Sequence, residues 1–308
     1  VVRSLVTGGA GFIGSHLVEG LLQRGDQVRI LDDFSSGSDA NLAPLSGKVE
    51  LVRGSITSLD VVESAISGCD NVYHLAALPS VVKSVENPLA SHASCATGTL
   101  NVLEAARKAR VKRVVYASSS AVYGDQPGES RRESDPLLPL SPYAAAKLGG
   151  EHYASAFHAV YGLETVRLRF FNVFGPRQDA KNPYSGVIAL FIGAMLQGRR
   201  PTIFGDGLQS RDFVYVGNVV QALMLAALAP LAAGKVYNVG MGSSINLLQL
   251  VAHINNILGG AIEPIHQPAR AGDIRMSQSD IAAARSDLGY EPRVSFAEGL
   301  ALTLQSFR

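Results

Sequence analysis

Tyr143 and Lys147 stand four residues apart in the segment SPYAAAK, residues 141 to 147, and of the ten tyrosines only Tyr143 has a lysine at that spacing. On a helix two such side chains share a face, one turn apart. Ser141 is a good N-cap, Pro142 a good first helical residue and Gly162 a natural stop. The chemistry suggested is proton transfer. A free phenol titrates at about 10 and is a poor base at neutral pH. An ammonium alongside favours the phenolate. Lowering the phenol by about three units takes roughly 4 kcal/mol, within reach of two nearby positive charges in a low-dielectric site. Upstream, the strand-like run YASSSAVYGD ends in the hydroxyls of Ser118, Ser119 and Ser120. They read either as polar loop or as groups that orient a substrate oxygen and share the moving proton. Taken alone, a Tyr-x-x-x-Lys spacing arises by chance.

A source for the second charge lies near the N-terminus. TGGAGFIGSH follows a strand-like run and opens a helical one, and Gly9-x-Gly11-x-x-Gly14 matches the dinucleotide fingerprint, with Gly8, Gly11 and Gly14 also at three-residue spacing. Glycines there let backbone N–H groups approach a pyrophosphate at the helix N-terminus. Glycine turns are common, so the context matters. Asp32, 21 residues after Gly11, closes the second strand-like run in RILDD, about where a carboxylate meets the adenosine ribose hydroxyls. An acidic group there repels a 2′-phosphate, which points to NAD rather than NADP. The nicotinamide cation would then join Lys147 in favouring a Tyr143 phenolate. His16 reads as a helix-surface or packing residue.

These groups need a frame. VRSLVTG, QVRILDD, KVELVRG, NVYHLAA and RVVYASS read as strands, nearly all apolar, and alternate with helical GSHLVEGLLQRG and GTLNVLEAARKARV. Such alternation predicts an α/β, Rossmann-type doubly wound parallel sheet with its crevice at the carboxyl ends of the strands. From about residue 175 the loops carry more Pro, Gly and charge. Residues 1–172 are therefore expected to form the dinucleotide-binding domain and 173–308 mainly a smaller C-terminal substrate lobe, with about 213–240 packing back onto the first. Of 308 residues, 47% are apolar and 17% charged, with net charge +1 and no basic run, which argues against nucleic acid or an anionic membrane surface as partner. Cys69 and Cys95, without a CxxC, read as scattered thiols, and no His/Cys/Asp cluster has metal-ligand spacing. No apolar stretch reaches the ~18 residues of a membrane span, and VVRSLVTGG lacks a signal-peptide layout, so a cytoplasmic protein is expected.

Together, TGGAGFIG, Asp32, HLAA, SSSAVYG and YAAAK occur in the order and approximate spacing of the extended short-chain dehydrogenase/reductase family, and RFFNVFGPRQ and FGDGLQSRDFVYV carry the resemblance along the chain. Within that family the chain resembles a nucleotide-sugar 4-epimerase. The resemblance implies catalytic roles for Ser119, four residues before Tyr123, and for Tyr143 and Lys147. It places Gly8, Gly11, Phe12, Ile13, Gly14, Asp32, Phe34, Ser35, Gly37, Ser55, Ile56, Leu75, Ala76, Ala77, Tyr143, Lys147 and Phe170 around NAD. A UDP-sugar would meet Ser80, Lys83, Ser119, Ser120, Tyr143, Asn172, Gly186, Val187, Ile203, Phe204, Arg211, Arg270, Asp273 and Ser277. Arginine suits a diphosphate because its fork donates two hydrogen bonds, and a single such arginine reads equally as surface charge without the family match. Ile203 and Phe204 either flank the uracil or belong to the core.

The reaction implied is removal of the sugar 4-OH proton by Tyr143 while the C4 hydride passes to a tightly held NAD, then return to the other face of a 4-keto sugar. Dehydrating relatives carry an Asp-Glu pair where this chain has Ser120 and Ala121, and the glutamate of UDP-glucuronate decarboxylases is also missing. In the family a bulky tyrosine at the position of Ser277 crowds out a 2-acetamido group, and AALPSVVKSVENP resembles the loop of epimerases that prefer UDP-N-acetylglucosamine. UDP-GlcNAc/UDP-GalNAc interconversion is therefore expected, with UDP-Glc/UDP-Gal as a further pair. The alternatives are epimerisation of UDP-glucuronate or of a GDP- or CDP-hexose, a net oxidoreductase, or a non-catalytic NAD-binding module. Pro79 replaces a common glycine, Ser55 an Asp facing the adenine, and Ala121 a threonine of many UDP-galactose epimerases. The family's homodimer would use the helices around TGTLNVLEAARKAR and from Ser141. Gly149 and Gly150 in the latter each cost about 1 kcal/mol against Ala, which a close helix contact between copies would offset.

Overall fold

All five apolar runs enter one sheet. A computed structural model describes residues 1–179, 186–269 and 274–308. Strands β1 (Arg3–Thr7), β2 (Gln27–Asp32), β3 (Val49–Arg53), β4 (Asn71–His74), β5 (Arg113–Ser119) and β6 (Glu164–Phe170) are completed by a late edge strand, Val236–Val239. Across the sheet the order is Val236–Val239, β6, β5, β4, β1, β2, β3, with every neighbouring pair parallel. This is the expected Rossmann-type architecture. Because helices cover both faces, β4 is buried along its whole length, which is why its sequence shows no alternation. On one face, Leu17 and Leu21 of helix Phe12–Arg24 meet Val219 and Leu223 of helix Val216–Leu228. On the other, helices Leu59–Ile66, Gly98–Lys108 and Pro142–Tyr161 contribute Ile66, Val102 and Phe157. The chain turns to opposite sides after β1 and after β4, and the crevice opens there.

Helix Val216–Leu228 and the edge strand pack on the sheet, and Ile281, Ala284, Leu288 and Tyr290 join the same apolar layer. A separate core holds the lobe, with Phe191, Ile192, Phe213, Leu250, Ile254 and Leu300 fully or nearly fully buried. Asp212 ties the two together. Its buried carboxylate accepts from the backbone N–H of Met241 (2.7 Å), Gly242 (3.1 Å) and Ser279 (3.0 Å) and from the Ser279 hydroxyl (2.5 Å). A carboxylate buried at this depth is tolerated because every approach is a donor.

The helix Pro142–Tyr161 starts and stops as its sequence implies. Ser141 Oγ accepts from the Ala144 N–H at 3.2 Å, Pro142 sits in the first turn, and Gly162 caps the end in the left-handed conformation. Of its glycine pair, Gly150 is explained within the chain. A Cβ on Gly150 would lie 2.4 Å from Tyr116 Oη, so this glycine is required inside the chain, whereas a Cβ on Gly149 meets nothing within 4 Å. Cys69 and Cys95 are buried free thiols, and no helix among the described residues is long and apolar enough to cross a membrane. The two glycines therefore carry opposite predictions. In urea denaturation Gly150→Ala should lose about 1–3 kcal/mol by overpacking, and Gly149→Ala should gain up to about 1 kcal/mol through helix propensity.

Candidate active site

At the carboxyl ends of the central strands lies a cleft of about 430 Å³. Gly8, Gly11, Phe12, Ile13, Gly14, Asp32, Ser35, Ile56, Leu75, Ala76, Ala77, Ser119, Tyr143, Lys147 and Phe170 line it together. The glycine turn is built by close approach of backbone to backbone. Gly8 has φ +72°, and a Cβ on Gly14 would stand 2.1 Å from the Gly8 carbonyl oxygen. Gly11 caps the helix Phe12–Arg24 without offering a side-chain acceptor, so the first helical N–H groups keep their capacity for an anion. Asp32 braces the turn while facing the cleft: Oδ2 accepts from the Ala10 N–H and Oδ1 from the Phe34 N–H, both at 2.8 Å. A carboxylate has about four acceptor positions, which leaves capacity for two ribose hydroxyls. Burial pushes the Asp32 carboxyl up, and the two N–H donors pull it back down. A bare helix N-terminus beside a carboxylate fits NAD.

Three expected cofactor residues stand behind the cleft wall. Phe34, at φ 59°, carries the Arg53 guanidinium over its ring at 4.0 Å. Gly37 packs against Ala10 and Asp32, where a Cβ would come within 2.8 Å of the Ala10 methyl. Ser55 turns its hydroxyl to Thr57, accepting from Thr57 Oγ1 at 3.0 Å. The sequence reading missed Asp33, Ser36, Asn41, Ser94, Val173, Arg177 and Gln178, which also line the cleft. Asn41 donates from Nδ2 to the Ala10 carbonyl at 2.9 Å and so fixes the glycine turn from the far side. Its only sequence signal was an amide in a short polar helix. Arg177 pairs with Glu19 at 2.5 Å and lies in the GPRQ segment, whose charge looked like loop. His16 packs, with Nε2 3.0 Å from the Pro176 carbonyl oxygen.

Ser119 closes β5 and caps the short helical turn Ser120–Tyr123, its Oγ accepting from the Ala121 N–H at 3.2 Å. Lys147 is buried, with Nζ donating to the Ala117 carbonyl at 2.8 Å and lying 5.0 Å from the centre of the Tyr116 ring. Tyr143 reaches the cleft between them. Without a cofactor cation, burial favours the neutral phenol. Desolvation pushes the Tyr143 phenol well above its ordinary value, Cys95 adds to this, and only a hydrogen bond with Ser119 pulls it down. Burial likewise lowers the Lys147 ammonium, against the opposing pull of Cys95 and Glu151. The Lys147 ammonium donates to the Ala117 carbonyl and keeps its charge, and a cation arriving with a cofactor would add to it in favouring the phenolate.

Two further compartments adjoin. One of about 280 Å³ is lined by Pro79, Ser119, Ser120, Ala121, Arg131, Tyr143, Asn172, Arg211 and Ser277 among others. The other, about 850 Å³, meets Ser80, Asn172, Gly186, Val187, Phe204 and Arg211. Register explains one convergence: Ser277 pairs with Arg211 in parallel, and the Asp212 N–H donates to the Ser277 carbonyl at 2.7 Å. Ile203 is a correction, because it is fully buried in the lobe core while Phe204, its strand neighbour, faces the compartment. Lys83 is not among the residues that line either compartment. It stands exposed on helix Val81–Glu86, and Ser80 caps that helix by accepting from the Lys83 N–H at 3.1 Å. Arg270 and Asp273 lie outside the described residues. Among the described residues no group of three or more His, Cys, Asp or Glu is placed to hold a metal ion.

A cation in the cleft favours the phenolate, so NAD⁺ should move the Tyr143 transition to lower pH and NADH should not. By linkage, NAD⁺ binding then releases protons and its affinity rises with pH until the phenol is fully ionised. Ultraviolet phenolate difference spectra of apoprotein with and without each cofactor check this against Tyr143→Phe as the blank. Equal transitions with NAD⁺ and NADH would contradict it.

Residues 4–240 match the family described as NAD dependent epimerase/dehydratase. The chain is 42% identical to a UDP-glucose 4-epimerase of Mycolicibacterium smegmatis, over 100% of this chain and 99% of the relative. A UDP-N-acetylglucosamine 4-epimerase from Methanobrevibacter ruminantium, solved in complex with UDP-N-acetylmuramic acid, superposes with TM-score 0.95 at 40% identity, covering 99% of this chain and 98% of that one. A Thermus thermophilus UDP-glucose 4-epimerase solved with NAD gives TM-score 0.90 at 39% identity, covering 100% and 99%. Glycine turn, carboxylate, serine, tyrosine and lysine thus meet in one cleft on a frame shared with these enzymes, and the chain belongs to the NAD dependent epimerase/dehydratase family of extended short-chain dehydrogenases, on its nucleotide-sugar 4-epimerase branch.

Proposed function

We propose that the protein interconverts UDP-GlcNAc and UDP-GalNAc at C4, and UDP-Glc and UDP-Gal as a second pair. The observation that carries the reading is the composition of the compartment beside Tyr143. Its described lining includes Ser119, Ser120, Ala121 and Ser277 and no Asp or Glu. Eliminating water or carbon dioxide calls for a further acid or base, and none of these side chains supplies one. NAD, when bound, accepts and returns the C4 hydride. Gly8, Gly11, Gly14 and Asp32 hold it, Tyr143 takes and gives back the 4-OH proton, and Ser119 orients that oxygen. Lys147, anchored on Ala117, holds the ribose side of the site and its charge stabilises the phenolate. Arg211 and Asn172 line both outer compartments, a position suited to gripping the diphosphate while the hexose turns over. The small Ser277 leaves room for a 2-acetamido group.

Arg131 favours a second substrate. Its guanidinium is held by the Pro127 and Gln126 carbonyls and the residue lines the hexose compartment, where its charge would suit a sugar carboxylate. UDP-glucuronate is therefore the second reading. A homodimer is proposed as well, on a face that keeps the expected helix from Ser141 and replaces the other. Helix Gly98–Lys108 is largely covered, whereas Val85 (65% exposed), Leu89 (81%) and Tyr153 (42%) leave apolar surface on helices Val81–Glu86, Pro88–His92 and Pro142–Tyr161.

Proton NMR of the anomeric region should show a C4 epimer when purified protein with NAD meets UDP-GlcNAc. Ser277→Tyr should suppress that reaction by on the order of a hundredfold while sparing UDP-Glc. Conversion of UDP-glucuronate alone would select the second reading. Tyr143→Phe should retain NAD and lose turnover by roughly 10²–10⁴-fold.

A further inference from the structure

Behind the catalytic residues lies an ion pair that the reaction as described does not use. Glu151 follows Lys147 by one helical turn and Tyr143 by two, and its side chain is 4% exposed. Arg169 of β6, 3% exposed, donates to it from Nε (2.9 Å to Oε1) and Nη2 (2.7 Å to Oε2). Ser118 donates to Glu151 Oε1 at 2.5 Å and is the residue immediately before Ser119. Arg169 also donates from Nη1 to Tyr123 Oη at 2.9 Å, and Tyr123 Oη donates to Asn238 Oδ1 at 2.7 Å. One carboxylate thereby joins the catalytic helix to β5, β6 and the edge strand. A buried pair is weak evidence for stability, because apolar residues of similar volume often do as well. Its placement against the serine run and the lysine is what calls for an explanation.

We propose that Glu151 is a positioning residue for this reaction: clamped by Arg169, it fixes the strand end bearing Ser119 against the helix bearing Tyr143 and Lys147, and it is the buried counter-charge to Lys147. The inference rests on the function proposed above. Among the described residues that face Lys147, Glu151 is the buried carboxylate whose charge acts on it, one helical turn away and without a direct ion pair. From β4 comes His74, buried neutral with its pKa lowered to about 3, from β5 the Tyr116 ring, and from the segment Ala93–Thr97 the Cys95 thiol, while Tyr143 and Glu151 lie on the same helix.

Three variants separate geometry from charge. Glu151→Gln keeps the shape and removes the charge, Glu151→Asp keeps the charge and shortens the reach, and Ser118→Ala breaks the link to β5 while leaving the ion pair. The ¹³Cε resonance of Lys147, identified by its loss in Lys147→Ala, is followed against pH in the NAD complex. Its midpoint should fall in E151Q, return toward the parent's in E151D and stay unchanged in S118A. In E151Q and S118A kcat should drop on the order of tenfold with KM for the UDP-sugar unchanged. The alkaline limb of the kcat profile should move to lower pH in E151Q alone. A parental midpoint in E151Q, or a parental kcat in S118A, overturns the proposal. Should E151Q fail to fold because Arg169 is left unpaired, a parental kcat in S118A still overturns it and a kcat loss at unchanged KM supports it. The midpoint needs no substrate, so a parent inactive toward every UDP-hexose refutes the proposed reaction while the midpoint still decides the role of Glu151.

Discussion

A single buried ammonium sets the terms for the rest of the molecule. Lys147 has almost no contact with water, and an unpaired charge in that position is costly. The fold meets the cost with a carbonyl at the end of β5 and the face of the Tyr116 ring. Each of these partners fixes something else. The carbonyl of Ala117 sets how closely the helix approaches the sheet, and Tyr116 fills the space that Gly150 leaves.

Legibility in the sequence followed the range of the interactions. The strands were readable because burial on both faces makes a parallel strand uniformly apolar, and the catalytic helix because its cap, first proline and terminal glycine act within one turn. The glycine turn and Asp32 were readable because backbone approach leaves little freedom in residue type. What escaped depends on chain pairs far apart in sequence. Asn41 reaches back to Ala10, Arg177 reaches to Glu19, and Glu151 meets Arg169 and Ser118. None carries a local pattern, since an amide, an arginine or a glutamate on a helix is ordinary until its partner is known. The errors have the same origin. Ile203 and Phe204 are adjacent in a short strand, so which one faces the ligand depends on a register that composition does not encode.

The proton chemistry illustrates a related limit. The sequence puts an ammonium beside a phenol and, with a nicotinamide cation added, implies an ionised tyrosine. Burial acts on both groups and favours the neutral form of each, and the lysine is already engaged by a carbonyl. Desolvation and hydrogen bonding compete here on comparable scales, and only the three-dimensional surroundings decide between them.

The edge strand Val236–Val239 has a consequence for biosynthesis. It pairs with β6, yet the chain builds the first half of the lobe before it is made. During translation β6 therefore emerges with one side of its backbone unpaired, and it stays so while the intervening residues leave the ribosome. An open row of N–H and C=O groups is a template for pairing with other chains. The nascent sheet is most exposed to self-association in that interval, and residues through Val239 of the 308 must be synthesised before the hazard is removed.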